Sequence, residues 1–374
     1  MEHAIHIQIL LAAFAGGAVL GAVAQKTNFC TLGAVSDWVN MGHTGRMRSW
    51  VFAMAVALAA VTVMEAWSGL DLKGTSPPYR TAQFAWLRYL VGGLMFGVGM
   101  TLASGCGSKT LIRIGGGNIK SIVALLAAAG CAWMMMWSPV FERGFLPWIS
   151  ATSIDLARHG VTGQDLPAVL AHLVGIEADR TLRLAIGAIV TVALLAYVFG
   201  STDFRDNRDH FVGGLVVGLA VAFGWYVTGG APGQAWKEYA EMATEIPSRV
   251  APQSYTFIGP MGDTVHWLRD PANGLLINFG MAGFAGVVIG SLIYALFTRS
   301  FRAERFVSIK DFGSHLLGGA LMGTGGVLAM GCTIGQGITG ISTLAIGSVL
   351  AFFAMVIGAA ATMKYQYWRM MQEA

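Results

Sequence analysis

Long apolar runs separated by short polar segments set the pattern of this chain. Nine of them approach the roughly 20 residues that an α-helix needs to span a bilayer. They lie at Ile5–Ala24, Ser49–Gly69, Leu87–Ser104, Ile119–Trp137, Leu182–Phe199, Phe211–Thr228, Asn273–Phe297, His315–Met330 and Leu344–Met363. The pattern predicts an all-α, polytopic membrane protein of about nine transmembrane helices. Two longer polar stretches interrupt it, Ser138–Arg180 and Gly229–Asp270. Both are expected outside the membrane as surface segments or caps. The first holds a candidate amphipathic helix at Asp165–Val174 and the second the cluster Trp236-Lys237-Glu238-Tyr239.

One apolar run occurs twice. Gly92 to Cys106 and Gly318 to Cys332 are identical at eight of fifteen aligned positions, among them Gly105/Gly331 and Cys106/Cys332. The matching runs are the third and eighth spans. An odd separation of five spans turns the second copy over in the membrane, so the pattern predicts an inverted duplication. The expected division is a first repeat with its external loop over residues 1–180, a connecting helix over 181–199 and a second repeat over 200–374. Gly16-Gly17 and Gly21 find weaker counterparts in Gly213-Gly214 and Gly218. The Gln25–Cys30 continuation has no cysteine counterpart near Gly224-Trp225-Tyr226.

Composition agrees with the pattern. Only 12% of residues are charged and 55% are hydrophobic, against about 25% charged in soluble domains. Mean hydropathy is +0.60. The net charge of +4 is too small to suggest nucleic acid, and membrane lipid is the expected surrounding. Met1 to Leu10 lacks Lys and Arg and no clear cleavage site follows, so no signal peptide is expected. With an external N-terminus, internal segments hold 14 of the 24 basic residues in much the shorter total length, which predicts a cytoplasmic C-terminus. The basic loop Thr298–Asp311 is the clearest internal segment.

Candidate chemistry is confined to cysteines and glycines. Four cysteines in no CxxC or zinc-type spacing argue against a metal site, no ATP motif is present, and no cofactor is expected. Cys131 sits in an apolar run and reads as a small core filler. Cys106 and Cys332 occupy the same glycine-flanked break in the two copies, and Cys30 ends the polar stretch after the first span. These three are the candidate substrate pathway. Gly105, Gly107, Gly331 and Gly335 mark the expected helix breaks; freed amides at such breaks attract anions. Gly105 and Gly331 are expected to admit no large side chain, whereas Gly17, a packing glycine, is expected to tolerate alanine better. Lys109 and Gln336 are supporting candidates, with Thr339 and an interfacial Glu65 weaker ones.

At these residues the chain resembles the YeeE/YedE sulfur-transport family. The resemblance is carried by Gln25-Lys26-Thr27-Asn28-Phe29-Cys30, Ser104-Gly105-Cys106-Gly107 and Met330-Gly331-Cys332-Thr333-Ile334-Gly335-Gln336-Gly337. It implies an inner-membrane permease for thiosulfate or a closely related sulfur anion. It also implies an hourglass of two inverted halves in which short re-entrant helices meet at a narrow centre, with Cys30, Cys106 and Cys332 as the essential thiols. A small TusA-like sulfur carrier is the implied cytoplasmic partner. The external segments are long for a minimal member.

The chemistry suits that substrate. Thiosulfate is a dianion with a soft terminal sulfur, to which a neutral thiol donates a weak S–H hydrogen bond. A thiolate would repel it by about 4 kcal/mol for unit charges 4 Å apart at an effective dielectric near 20. A rival reading makes the protein an enzyme, a membrane thiol–disulfide or sulfurtransferase protein with covalent intermediates, but no adjacent cysteine pair supplies a resolving partner. A second rival is a passive channel or scaffold in which the cysteines only pack.

Overall fold

The computed structural model describes residues 4–72 and 74–373. Met1–His3 and the last residue of the expected second repeat lie outside the described residues. α1 (Ala4–Lys26) and α3 (Gly45–Trp67) flank the short α2 (Thr31–Ser36), which a π-helical turn at Asp37–Met41 prolongs. α4 (Trp86–Leu102) and α6 (Ile119–Trp137) flank the short α5 (Gly107–Gly115) in the same way. α7 (Leu146–Thr152) and α8 (Leu166–Val174) lead to α9 (Arg180–Phe199), and α10 (Thr202–Arg205) leads on to α11 (Arg208–Gly229). Then follow α12 (Ala231–Met242), α13 (Ile258–Trp267), α14 (Phe279–Phe297), α15 (Ile309–Leu328) and α16 (Ile346–Glu373). A π-helical turn at Gly335–Gly340 and a short 3-10 turn at Ile341–Thr343 join the last two. Among the described residues the strands amount to one ladder of two residues each, Gln83–Phe84 against Ile154–Asp155.

Among the described residues eight helical stretches are long and apolar enough to cross a membrane, which makes the protein an all-α, polytopic membrane protein. The expected span His315–Met330 falls on α15, which is not among the eight. Six of its twenty residues are glycine and dilute its apolar character. Several helix starts follow from capping side chains: Asn118, Asp179, Asn278 and Ser308 accept from Ser121, Leu182, Met281 and Asp311 amides at 2.8–3.1 Å.

Packing partnerships come in pairs. α1 lies along α14 as α11 lies along α3; α4 lies along α16 as α15 lies along α6; and α4 and α15 cross each other. Glycine sets these distances. Cβ atoms at Gly92 and Gly99 would press on the backbone of α15, and at Gly318 and Gly325 on the backbone of α4. Gly93 and Gly97 face α16 backbone, as Gly319 and Gly323 face α6 backbone. This is the close approach that small residues permit between membrane helices. Gly17 belongs to the same class, because a Cβ there would overlap the Gly283 carbonyl oxygen. The expected tolerance of alanine at Gly17 is therefore corrected.

The segment Gly229–Asp270 is more than a surface cap. α13 lies within it, packs on α6, and begins at Phe257 and Ile258, both buried. The segment Ser138–Arg180 does contain the expected short helix, as α8, and Leu166 donates its amide to Leu344 carbonyl at 2.9 Å, anchoring it beside the start of α16. α9 rests chiefly on α3, at the edge of the bundle.

Candidate functional site

Three long helices end in one geometry. After α1, α4 and α15 a single residue turns left-handed: Asn28 at φ 50°, Ser104 at φ 57° and Met330 at φ 58°. The next amide reaches back past the helix end, Phe29 to Ala24 carbonyl (3.1 Å), Gly105 to Met100 (2.9 Å) and Gly331 to Gly326 (2.8 Å). This pattern satisfies carbonyls that the helix end would leave free. The left-handed position precedes each glycine, so the break does not rest on Gly105 or Gly331, as the sequence suggests. A Cβ at Gly105 would find ordinary contacts, the nearest 3.6 Å away on Lys109, and one at Gly331 would be tighter, 3.3 Å from Gln336.

One residue later comes a cysteine. Cys30 caps α2 and its Sγ accepts the Gly33 amide at 3.5 Å; the Cys332 Sγ accepts the Gly335 amide at 3.5 Å in the same way. Cys106 caps α5, with its Sγ 3.3 Å from the Ser108 hydroxyl. A sulfur that accepts a backbone N–H keeps its own S–H free to donate.

Two of the thiols meet, and the third cysteine lies near them. Those of Cys30 and Cys106 lie within hydrogen-bonding reach of each other, and the Thr31 hydroxyl donates to Cys106 Sγ at 3.9 Å. Cys332 approaches across Gly107, where a Cβ would stand 3.7 Å from that of Cys332. All three cysteines are buried, Cys30 retaining 7% exposure. Cys131 lies apart, half-buried on α6.

The supporting residues divide. Gly335 has no room for a Cβ, which would strike the Thr256 hydroxyl. Gln336 is buried; its Nε2 donates to Ala329 carbonyl at 2.7 Å, holding the end of α15, while its Oε1 has no partner among the described residues. Thr339 donates to Tyr255 carbonyl at 2.8 Å, a tie to the chain before α13. Glu65 forms a two-pronged pair with Arg80 at 2.5 and 2.9 Å. Lys109, one turn into α5, donates to Asn28 Oδ1 at 3.3 Å.

Sequence reading missed several neighbours. Thr333 is buried with its hydroxyl within reach of the Cys106 thiol, and the Thr256 hydroxyl has no partner among the described residues. The Tyr79 hydroxyl donates to Gly335 carbonyl at 2.7 Å, steadying the turn after Cys332. Tyr79 and Thr256 lie in segments without repeat or periodicity, so no local signal marks them. At the capping position that Cys30 holds on α2, α13 offers Phe257.

Two faces flank the cluster. Where α4 begins and α6 ends, a cavity of about 460 Å³ is lined by Arg88, Arg249, Asp263, Thr256, Met330 and Gly331. Arg88 donates there to the carbonyls of Leu328 (2.7 Å) and Val327 (3.0 Å). At the opposite end Asn28 and Ser104 are exposed beside Lys109 and Arg113. Among the described residues no group of three or more His, Cys, Asp or Glu side chains is set to hold a metal ion.

Comparison with known proteins identifies the family. The thiosulfate transporter TsuA of Escherichia coli (strain K12) is 24% identical over 364 residues, 94% of this chain and 92% of its own. The thiosulfate transporter TsuA of Spirochaeta thermophila is 22% identical over 354 residues, 91% of this chain and 94% of its own. The family model for sulphur transport matches residues 26–361. Over that length the chain belongs to the sulphur-transport family.

Proposed function

We propose that this protein takes up thiosulfate, or a closely related sulfur-containing anion, across the inner membrane along a path through Cys332, Cys106 and Cys30. The observation that carries the reading is the Cys30–Cys106 thiol pair with the buried Cys332 close by, each cysteine capping a helical turn, between the Arg88 cavity and the Asn28–Ser104 face. The family and the two relatives support a sulfur anion as cargo.

The terminal sulfur of thiosulfate is a soft acceptor. Neutral S–H groups can pass it from Cys332 to Cys106 and on to Cys30, and several weak sites in series let an ion leave as readily as it arrives. The first-turn amides of α5, nine residues long, add positive partial charge beside Cys106. No bond to sulfur forms or breaks in this scheme. The paired packing of α1 with α14 and α11 with α3 supports two inverted copies, over residues 1–180 and 200–374, joined by 181–199. In the orientation favoured by the basic loops, the Arg88 cavity faces outward and the Lys109 face inward.

The test is uptake of radiolabelled thiosulfate into proteoliposomes holding the purified protein. Saturable uptake with the anion recovered intact is the expected result. Persulfide on the cysteines would point to covalent transfer, and equal passage of chloride to a passive pore; either would sink the proposal.

A further inference from the structure

We infer that Lys109, Arg113 and Arg46 form a second anion site on the face opposite the Arg88 cavity, which holds a divalent oxyanion by charge beside Cys30. The inference rests on the transport reading for its place in the cycle, and on the local geometry for its existence.

Lys109 lies half-buried on α5, and its one hydrogen bond among the described residues goes to the neutral amide oxygen of Asn28, at 3.3 Å. The ionisable groups around it are the thiols of Cys30 and Cys106 and two further cations, Arg113 and Arg46. Arg113 donates to Ser104 carbonyl at 2.6 Å, again a neutral acceptor. Arg46 has a carboxylate, Asp37, at 3.1 Å, and its guanidinium stands 2.6 Å from where a Gly33 Cβ would be, against the first turn of the helix that Cys30 caps. Lys109 and Arg113 thus have only neutral hydrogen-bond partners among the described residues, while Arg46 stands against the Asp37 carboxylate. The first two cations lack an ion pair among the described residues, and together they match the charge of a dianion.

A lysine that only snorkels would carry its ammonium out to water. Lys109 instead keeps it over Asn28, beside the left-handed turn that delivers Cys30. Partly desolvated cations without a counter-ion are costly, and a charged acceptor binds them more strongly than an amide oxygen does. An arriving dianion therefore displaces Asn28 from Lys109.

Recognition here differs in kind from that of the thiols. Ammonium and guanidinium groups read charge and oxygen, so the site takes divalent oxyanions as a class, sulfate included. Thiols read soft sulfur. The two faces should then differ in what competes with thiosulfate.

Two measurements test this. In proteoliposomes oriented with the Arg88 cavity outward, lumenal sulfate should slow initial thiosulfate uptake while external sulfate does not. Lys109→Gln should abolish the lumenal effect and Lys109→Arg should keep it. Independently of transport, calorimetric titration of the detergent-purified protein with sulfate should show binding, weakened about tenfold or more by Lys109→Gln or Arg113→Gln, the loss expected when one partner of a charge pair is removed. Sulfate binding that is absent from the wild type, or equal in wild type and Lys109→Gln, would overturn the site even if thiosulfate is transported. Lys109-dependent sulfate binding without thiosulfate uptake would instead leave the site standing and remove the transport reading.

Discussion

Ser104 and Met330 hold the same left-handed backbone, φ 57° and 58°, at corresponding positions of the repeated run. Neither is a glycine, and each places a cysteine two residues on. For a side chain with a Cβ this conformation costs about 1–2 kcal/mol. Glycine at either position should therefore be tolerated, with thermal stability in detergent unchanged or slightly raised. Ser104→Val and Met330→Val should each lose about 1 kcal/mol or more, since β-branched residues fit this region worst. A valine variant as stable as its glycine counterpart would show that the turn is not held as described.

The cysteines should separate by position. Serine keeps the approximate size but offers a hard hydroxyl in place of a soft thiol. Cys106→Ser and Cys332→Ser should lose most thiosulfate uptake and Cys30→Ser a substantial part. Cys131→Ser, away from the cluster, should stay within about twofold, its change in burial affecting at most stability. Uptake at matched membrane protein levels decides the matter. Equal damage at Cys131 and Cys106 would end the assignment.

Glycines offer a sharper contrast than their sequence context suggests. Gly17→Ala forces a methyl into the Gly283 backbone and should cost about 1–3 kcal/mol, the usual range for overpacking. Gly105→Ala meets its nearest neighbour at 3.6 Å and should fold nearly as well as wild type. Fluorescence-detected thermal unfolding of the two variants gives the order directly, and the reverse order would contradict the seam between α1 and α14.

Topology can be settled by reporter fusions. Reporters placed in the Thr298–Asp311 loop and after Met363 should both signal cytoplasm. A periplasmic signal from either would remove the inverted orientation and, with it, the direction given to the path.

The long helices were legible because apolar runs have few alternatives in so uncharged a chain. Ile119–Trp137 was expected with the bounds that α6 has, and Leu87–Ser104 lies within two residues of α4 at each end. Asn273–Phe297 began too early because Asn278, the cap, sits inside an otherwise suitable stretch. α16 runs on to Glu373 through a polar tail that hydropathy alone does not extend. The repeat marked Cys106 and Cys332 as equivalent positions, while Cys30 lies outside it. α13 was not legible, since Arg249, Asp263, Arg269 and Asp270 hide ten helical residues within a segment that reads as external. The left-handed turns were also misplaced by one residue, because glycine drew attention from Ser104 and Met330. Lys109 and Asn28 meet across 81 positions, a distance that no local pattern spans.

The crossing of α4 and α15 carries a mechanical consequence. Gly92 and Gly99 on one helix and Gly318 and Gly325 on the other bring main chain against main chain, with no intervening side chains to change rotamer. Such a joint resists shear: for one helix to slide along the other, the two must first lift apart and surrender their contact along the whole crossing. A transporter that works by tilting its halves needs a slippery joint at its centre, and this one is keyed. On the proposed path, motion is then expected in the turns that carry the thiols, and a covalent cross-link between α4 and α15 should leave uptake intact.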